Sequence, residues 1–165
     1  MKKPQFYSEL LQNMSGLIAD ETHFIATLAN VSALLFEQLE DVNWAGFYLR
    51  EGDTLTLGPF QGKIACVSIP VGRGVCGTAA AENRVQRVDD VHAFAGHIAC
   101  DAASLSEIVL PIVQNGQVVA VLDIDSTIYR RFDQEDEDGL KALVERLCQQ
   151  LEQTDLRRFI NNTLY

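Results

Sequence analysis

The dipeptide Asn115-Gly116 constrains the fold of this chain more than any other short feature, because it joins two β-rich runs, "EIVLPIV" and "VVAVLDID". Asn-Gly is the strongest short-range signal for a two-residue hairpin turn. The sequence therefore predicts an antiparallel hairpin at this point. A simple two-residue turn would place Glu107 near residue 124 of the second strand.

Helical patterns precede and follow this hairpin. Between Gln5 and Leu39 the apolar residues recur at helical spacing, and Asp20 followed by Glu21 and Thr22 predicts the start of a second helix. The segment "FDQEDEDGLKALVERLCQQL" crowds acids into a first turn and predicts a long amphipathic helix. Its apolar stripe consists of Leu140, Leu143, Val144, Leu147 and Leu151.

The middle of the chain is predicted to form β-strands. In "NWAGFYLREGDTLTLGPFQGKIACVSIP", short β-rich runs alternate with turn signals, which predicts consecutive antiparallel strands. An alanine-rich run led by glycines predicts a short helix near Val75, and residues 88–106 show no sustained period. The element order is typical of an α+β domain whose antiparallel sheet carries the terminal helices on one face. A chain of 165 residues is expected to form one domain over 1–165.

Charge and composition exclude several classes of function. With 13 basic and 23 acidic residues the formal charge is −10, whereas binding a nucleic-acid backbone requires a clustered positive surface. The segment "MKKPQFYSELLQNMSG" lacks the apolar core of a signal peptide, and no run approaches the length of a membrane span. We therefore expect a cytoplasmic protein, in which thiols are kept reduced.

The four cysteines are spaced by 10, 24 and 48 positions. Structural zinc sites bring cysteines in close pairs, so this spacing does not predict one. Core thiols and a redox relay remain as alternatives. Cys148 lies on the apolar stripe of the last helix and is expected in the core, as is Cys66 in its apolar strand by default.

Cys100 and Cys76 have more polar settings. Cys100 lies in the irregular stretch "FAGHIACDAAS", where a thiol is expected to be exposed and able to attack. His97 would lower the pKa of this thiol, whereas Asp101 would oppose that effect. Cys76 lies near a predicted helix start, where the helix dipole would favour its thiolate.

Asp123 and Asp125 alternate at the end of an apolar strand, so both side chains are predicted on one face of the sheet. They form either a solvated strand end or an inward pair whose raised pKa suits proton donation or the binding of an ammonium group. Glu107 is expected nearby. Trp44 and Tyr48 also share parity, which is compatible with core packing or with a wall against a ligand's methyl group.

Four segments together are characteristic of one family: "NWAGFYL", "GPFQGKIACVSIPVGRGVCGTAA", "DVHAFAGHIACDAASLSEIVLPI" and "AVLDIDS". With the 10 and 24 spacing of three cysteines, the chain resembles the free methionine-(R)-sulfoxide reductases, which are stand-alone GAF-domain enzymes. The resemblance covers nearly the whole chain. It implies a GAF-like α+β fold, with a central antiparallel sheet, the N- and C-terminal helices on one face and the ligand pocket on the other.

The resemblance also implies roles for individual residues. It makes Cys100 the nucleophile, Cys66 the resolving cysteine and Cys76 an alternative resolving cysteine, which replaces the default core assignment of Cys66. Glu107 and Asp125 become the candidate proton donors. The implied substrate-binding residues are Trp44, Tyr48, Asp123, Asp125 and Glu107.

The implied reaction is the reduction of free L-methionine-(R)-sulfoxide to L-methionine, by sulfenic acid and disulfide chemistry with thioredoxin as reductant. It implies protection against oxidative damage, a homodimer, and neither a metal nor an organic cofactor. Two alternatives from other classes are a regulatory GAF module that binds a small molecule, and a thiol-based redox sensor without turnover.

Overall fold

The structure, a computed structural model, describes residues 1–98, 100 and 102–163. Its strands are β1 Val42–Glu51, β2 Thr54–Gly62, β3 Ser68–Pro70, β4 Gln86–Val88, β5 Ser106–Gln114 and β6 Gln117–Ser126. They form one sheet in the order β3-β2-β1-β6-β5-β4, with antiparallel pairing throughout. The predicted α+β class with an antiparallel sheet is confirmed.

The helices are α1 Lys3–Ile18, α2 Phe24–Gln38, α3 Gly74–Glu82, α4 Gln134–Leu151 and α5 Leu156–Thr163. The predicted start of α2 at residues 20–22 is too early, because the Glu21 carboxylate accepts the backbone N–H groups of Thr22 and His23 and holds them outside the helix. None of the helices in the described part of the chain combines the length and apolar character needed to cross a bilayer.

The hairpin between β5 and β6 is confirmed, with φ of 53° at Asn115 and 77° at Gly116. Its register differs from the prediction of a simple turn. The ladder shifts between Ile112 and Val113, where a bulge adds one residue to one strand. Glu107 therefore lies opposite Asp125 rather than residue 124.

The two faces of the sheet bury separate apolar clusters. The helix-side core packs α1, α2 and α4 against alternate strand residues, among them Ala45, Phe47, Leu110 and Leu122. The pocket-side cluster packs α3 against the opposite face and contains Trp44, Tyr48, Val75, Cys76, Val109 and Val121. The terminal helices thus lie on one face of the sheet, as predicted.

A buried carboxylate fixes the start of α4 to α1. Asp136 is 1% exposed, and one of its oxygens accepts from the Tyr7 hydroxyl at 2.7 Å and from Arg131 at 3.2 Å. The other oxygen accepts from Lys3 Nζ at 2.7 Å and from the backbone N–H of Asp133 at 2.8 Å. Two cations and two further donors therefore compensate this buried charge completely.

Candidate active site

A cavity of about 50 Å³ lies on the face of the sheet opposite the terminal helices. Strands β1, β5 and β6, helix α3 and the segments around residues 64–66 and 97–104 contribute to its lining. All eight residues predicted for the site either line this cavity or pair with a residue that does. The lining contains Trp44, Tyr48, Cys76, His97, Cys100, Ser104, Glu107, Asp123 and Asp125, together with Ile64, Ala65, Ile69, Gly74, Val75 and Ile98.

Three carboxylates share this cavity because of strand register. Glu107 pairs with Asp125 across the β5–β6 ladder, and Asp123 precedes Asp125 by two residues on the same face. Glu107 is 8% and Asp123 6% exposed, whereas Asp125 is half-buried. Asp123 and Asp125 therefore form the inward-facing pair, and not the solvated strand end that was the alternative prediction.

Burial dominates the electrostatics of this acidic group. Burial, reinforced by the charges of Asp123 and Asp125, raises the pKa of Glu107 well above its usual value. Burial also raises the pKa of Asp123, although hydrogen bonds with Glu107 and Asp125 oppose the shift. Among the described residues, no group bonds to the Oδ1 atom of Asp123, so a buried acceptor faces a cavity with nothing to satisfy it.

Cys76 lies beside these acids at the start of α3, with its Sγ donating to Glu107 Oε1 at 3.9 Å. Burial first, and then the charges of Asp123 and Glu107, raise the pKa of this thiol well above its usual value. The expectation that the helix start favours its thiolate is therefore wrong, because desolvation and the neighbouring acids outweigh the dipole. The ligand atoms of Cys76, Glu107 and Asp123 lie within 4.8 Å of one another, a spacing that would also fit a metal ion.

Cys66 and Cys100 form a disulfide, with Cα atoms 5.4 Å apart across 34 positions of sequence. Cys66 lies in the irregular segment between β2 and β3 and is half-buried, so its default placement in a core strand is wrong. Cys100 lies in an irregular segment, as expected, but it is half-buried rather than exposed because its sulfur is joined to that of Cys66. Cys148 is a free thiol packed against the helix-side core, away from this pair.

The aromatic residues make a wall that holds the Cys66 segment. The rings of Trp44 and Tyr48 stack at a centroid distance of 5.9 Å, and Phe60 stacks on Trp44 at 5.1 Å. Trp44 Nε1 donates to the Lys63 carbonyl at 3.1 Å, and the Tyr48 hydroxyl donates to the Cys66 carbonyl at 3.0 Å. The wall thus positions one sulfur of the disulfide through two backbone contacts.

His97 and Ser104 also line the cavity, although sequence reasoning assigned neither of them to ligand binding. Burial and the neighbouring His92 lower the pKa of His97, while the charge of Asp123 opposes that shift. Asp101, the predicted opponent of a Cys100 thiolate, lies outside the described residues. Both missed residues belong to the loop that carries Cys100, and this position is the feature of the sequence that could have identified them.

The site combines three chemical capacities in one small volume. A redox-active thiol pair adjoins two carboxyl groups that retain protons above their usual range, and an aromatic wall faces them. Proton donation beside a nucleophilic thiol suits the reduction of a small oxidised compound. The roles of the individual residues in such a reaction stay predictions.

Comparisons with known proteins agree with this arrangement. Residues 23–154 match the family model of the GAF domain. The chain is 64% identical over 96% of its length to an Escherichia coli protein named free methionine-R-sulfoxide reductase, of which 96% is covered. Among solved structures, that of the Staphylococcus aureus fRMsr in complex with substrate has a TM-score of 0.84 and 54% identity, covering 88% of this chain and 95% of that one.

The free methionine-R-sulfoxide reductase of Neisseria meningitidis, also solved in complex with its substrate, has a TM-score of 0.89 at 42% identity. The likeness covers 93% of this chain and 92% of the Neisseria chain.

Proposed function

The chain belongs to the GAF-domain family and, within it, to the free methionine-R-sulfoxide reductases, oxidoreductases that act on sulfur, and we propose that Cys100 is its catalytic thiol. The substrate is free L-methionine-(R)-sulfoxide and the product is L-methionine. The single observation that carries this proposal is the Cys66–Cys100 disulfide in a cavity lined by three carboxylates.

The first step is attack by the Cys100 thiolate on the sulfoxide sulfur. A protonated carboxyl group gives its proton to the sulfoxide oxygen, methionine leaves with its sulfur reduced, and Cys100 retains the oxygen as a sulfenic acid. Glu107 is the first candidate donor, because burial and two neighbouring acids raise its pKa and favour its protonated form. Asp125, directly opposite it in the ladder, is the second.

The second step removes the sulfenic acid before it oxidises further. The Cys66 thiol condenses with it, water leaves, and a disulfide joins the two sulfurs. Support comes from their pairing in the structure, where the Cα atoms are 5.4 Å apart. Cys76 is a free buried thiol in the same cavity and is the alternative resolving cysteine.

Substrate selection rests on the acidic group and the aromatic wall. The unsatisfied Oδ1 of Asp123 accepts the substrate's ammonium group, assisted by Glu107 and Asp125. Trp44 and Tyr48 pack against the methyl end of the side chain. A methionine sulfoxide within a peptide has no α-ammonium group and is excluded.

The disulfide state is the product state of this cycle. Its cavity of about 50 Å³ has room for only a few waters, at roughly 10–15 Å³ each. Methionine sulfoxide is larger than that, so the substrate enters only after reduction has separated Cys100 from Cys66.

Regeneration requires an external dithiol, for which thioredoxin is our candidate. Its thiolate attacks the disulfide, a mixed disulfide forms, and its second thiol releases the reduced enzyme. No metal or organic cofactor takes part in these steps. The cycle suits a reducing compartment, so we place the protein in the cytoplasm, where it counters oxidative damage.

We further propose that residues 1–165 act as one GAF domain and that two copies form a homodimer. Exposed apolar side chains on the first two helices, Leu17, Ile25 and Phe36, support such an association. Sedimentation velocity tests this proposal directly.

A coupled assay tests the proposed activity. The protein is incubated with thioredoxin, thioredoxin reductase and NADPH, and NADPH oxidation is followed after addition of free L-methionine-(R)-sulfoxide. We expect turnover with the R epimer and none with the S epimer. Absence of turnover, or equal rates with both epimers, would overturn the proposal.

A further inference from the structure

The function proposed above leaves two polar side chains of the cavity, His97 and Ser104, without a role. His97 lines the cavity together with Cys100 and the acids, and it is half-buried. Among the described residues, no group is hydrogen-bonded to its ring. A half-buried imidazole with both nitrogens unused, facing a ligand cavity, is available to bind the ligand.

The other side-chain donors of the cavity are mostly committed. The Trp44 N–H and the Tyr48 hydroxyl both donate to backbone carbonyls of the Cys66 segment. The three acidic side chains of the cavity offer no positive charge to an anion. Ser104 is buried, and its oxygen accepts from Asn43 at 3.1 Å, which leaves its hydroxyl as a neutral donor. Among the described side chains that line the cavity, His97 is therefore the donor that can also carry a positive charge toward an anionic group.

The position of His97 suits one particular anion. The charge of Asp123 favours the protonated ring of His97, which requires the two side chains to lie within electrostatic range of each other. A free amino acid carries its ammonium and carboxylate groups on the same carbon. If Asp123 binds the ammonium group, the carboxylate lies a few ångströms away, within the same small cavity that His97 lines.

Local packing fixes the segment that carries His97. The His97 backbone N–H donates to the Phe94 carbonyl at 3.2 Å. The next residue, Ile98, lies against Gly74 at the start of α3, where an added Cβ would approach its Cδ1 to 3.3 Å. Gly74 has a φ of 65°, so a larger residue there is strained as well as crowded.

We infer that His97 binds the α-carboxylate of the substrate and so helps to determine specificity for a free amino acid. This inference rests on the proposed function and adds a second recognition element to it. Asp123 recognises one end of the zwitterion and His97 the other. A substrate that lacks either charge loses one of the two contacts.

An alternative role for His97 is to stabilise the Cys100 thiolate. Burial and His92 lower the pKa of His97, which favours the neutral ring near neutral pH and weakens this effect on a thiolate. A neutral ring still donates one N–H to a carboxylate. The two roles differ in their dependence on the substrate, because thiolate activation acts on every substrate equally.

The test compares two substrates on two variants. The substrates are free L-methionine-(R)-sulfoxide and its C-terminal amide, which keeps the ammonium group and the sulfoxide but lacks the carboxylate. The variants are His97→Ala and His92→Ala. The second removes an exposed histidine whose ring lies 6.4 Å from that of His97 and contacts Asp90.

We expect His97→Ala to lower kcat/KM for the free acid about tenfold or more, mainly by raising KM. Its kcat/KM for the amide should equal that of the wild type, and His92→Ala should leave both substrates unaffected. An equal loss on both substrates, with slower alkylation of the reduced Cys100 thiol, would assign His97 to thiolate activation and overturn the inference. Unchanged rates on both would overturn it as well.

The controls separate this inference from the proposed function. If the wild-type protein reduces neither compound, the proposed function fails. If it reduces the free acid but His97→Ala does not change its preference over the amide, only the role of His97 fails. Circular dichroism and thermal unfolding of both variants show whether a loss of activity reflects loss of fold.

Discussion

Each face of the sheet buries carboxylate groups, but the two faces differ in the partners that surround these groups. On the helix side, Asp136 is 1% exposed and accepts from two cations, a tyrosine hydroxyl and a backbone amide. On the pocket side, Glu107 and Asp123 are almost as deeply buried, with no lysine or arginine among the described lining residues. The first carboxylate stabilises the fold, whereas the other two lack a cationic partner that a ligand could supply.

The thiols follow the same division. Cys148 packs against the helix-side core, and burial raises its pKa, which disfavours its reactive thiolate form. Cys66, Cys76 and Cys100 belong to the opposite face, beside the acids. Reactive and uncompensated groups are thus concentrated on one side of the sheet, and fully satisfied groups on the other.

The largest expected effect is on kcat, and it distinguishes the pocket-side Cys100 from the helix-side Cys148. Cys100→Ser removes the proposed nucleophile and should lower kcat on the order of a thousandfold or more in the coupled assay. Cys148→Ser is the matched control and should keep wild-type activity. Full activity of Cys100→Ser would show that Cys100 is not the nucleophile. Comparable losses of activity in both variants would contradict the proposed difference between the two faces.

A crossed pair of substitutions tests the two carboxylates. Asp123→Asn should lower kcat/KM about a hundredfold, because the ammonium group loses a charged partner. Its free energy of unfolding should stay the same or rise by about 1 kcal/mol, because an uncompensated buried charge is removed. Denaturant unfolding and steady-state kinetics measure both quantities on the same sample.

Asp136→Asn should have the reverse profile. It leaves Lys3 and Arg131 without their buried partner and should lower the free energy of unfolding by about 3 kcal/mol. The activity of the folded fraction should match that of the wild type. The comparison fails if Asp123→Asn is the less stable variant, or if Asp136→Asn is the less active one.

Gly139 offers a test confined to the helix side. A glycine-to-alanine change inside a helix ordinarily stabilises it by about 1 kcal/mol. Here a Cβ at Gly139 would overlap the ring of Tyr7, whose hydroxyl donates to Asp136. We therefore expect Gly139→Ala to destabilise by about 1–3 kcal/mol, with activity retained. A stabilised variant in thermal or denaturant unfolding would contradict this account of the α1–α4 contact.

The smallest effect concerns pH. The folded-state pKa of Glu107 is raised, so the folded state holds more protons than the unfolded state once the pH exceeds the unfolded value near 4.5. Stability contributed by this group is therefore greatest at low pH and is lost as pH rises toward the folded pKa. Glu107→Gln removes this pH-dependent contribution. The free energy of unfolding of the variant, measured relative to that of the wild type, should therefore rise by about 1 kcal/mol from pH 5 to pH 8. Denaturant midpoints at both pH values measure it, and a constant difference would contradict the raised pKa.

The sequence predicted those features that depend on periodicity. Asp123 and Asp125 share a face whatever the register, and the Asn115-Gly116 hairpin depends on local turn chemistry alone. The partner of Glu107 was mispredicted because a bulge near Ile112 changes the register by one residue. The extra residue is Val119 of β6, and no pattern around it in the sequence predicts a bulge.

Features that depend on tertiary placement were harder to predict. Cys66 looked like a strand residue because its neighbours are apolar, yet it lies in an irregular segment between two strands. Among the described residues, Asp123 Oδ1 and the His97 ring have no hydrogen-bond partner, and such an absence depends on everything that surrounds a side chain. A sequence does not contain that information without the fold.

The most direct test of the central claim is a single turnover of the reduced protein with free L-methionine-(R)-sulfoxide, without any reductant. Released methionine is quantified by chromatography, and disulfides are mapped by mass spectrometry. Our account predicts one methionine per chain, loss of two thiols, and a Cys66–Cys100 disulfide, with no product from the S epimer. Methionine formed without thiol loss, or formed equally from both epimers, would contradict it.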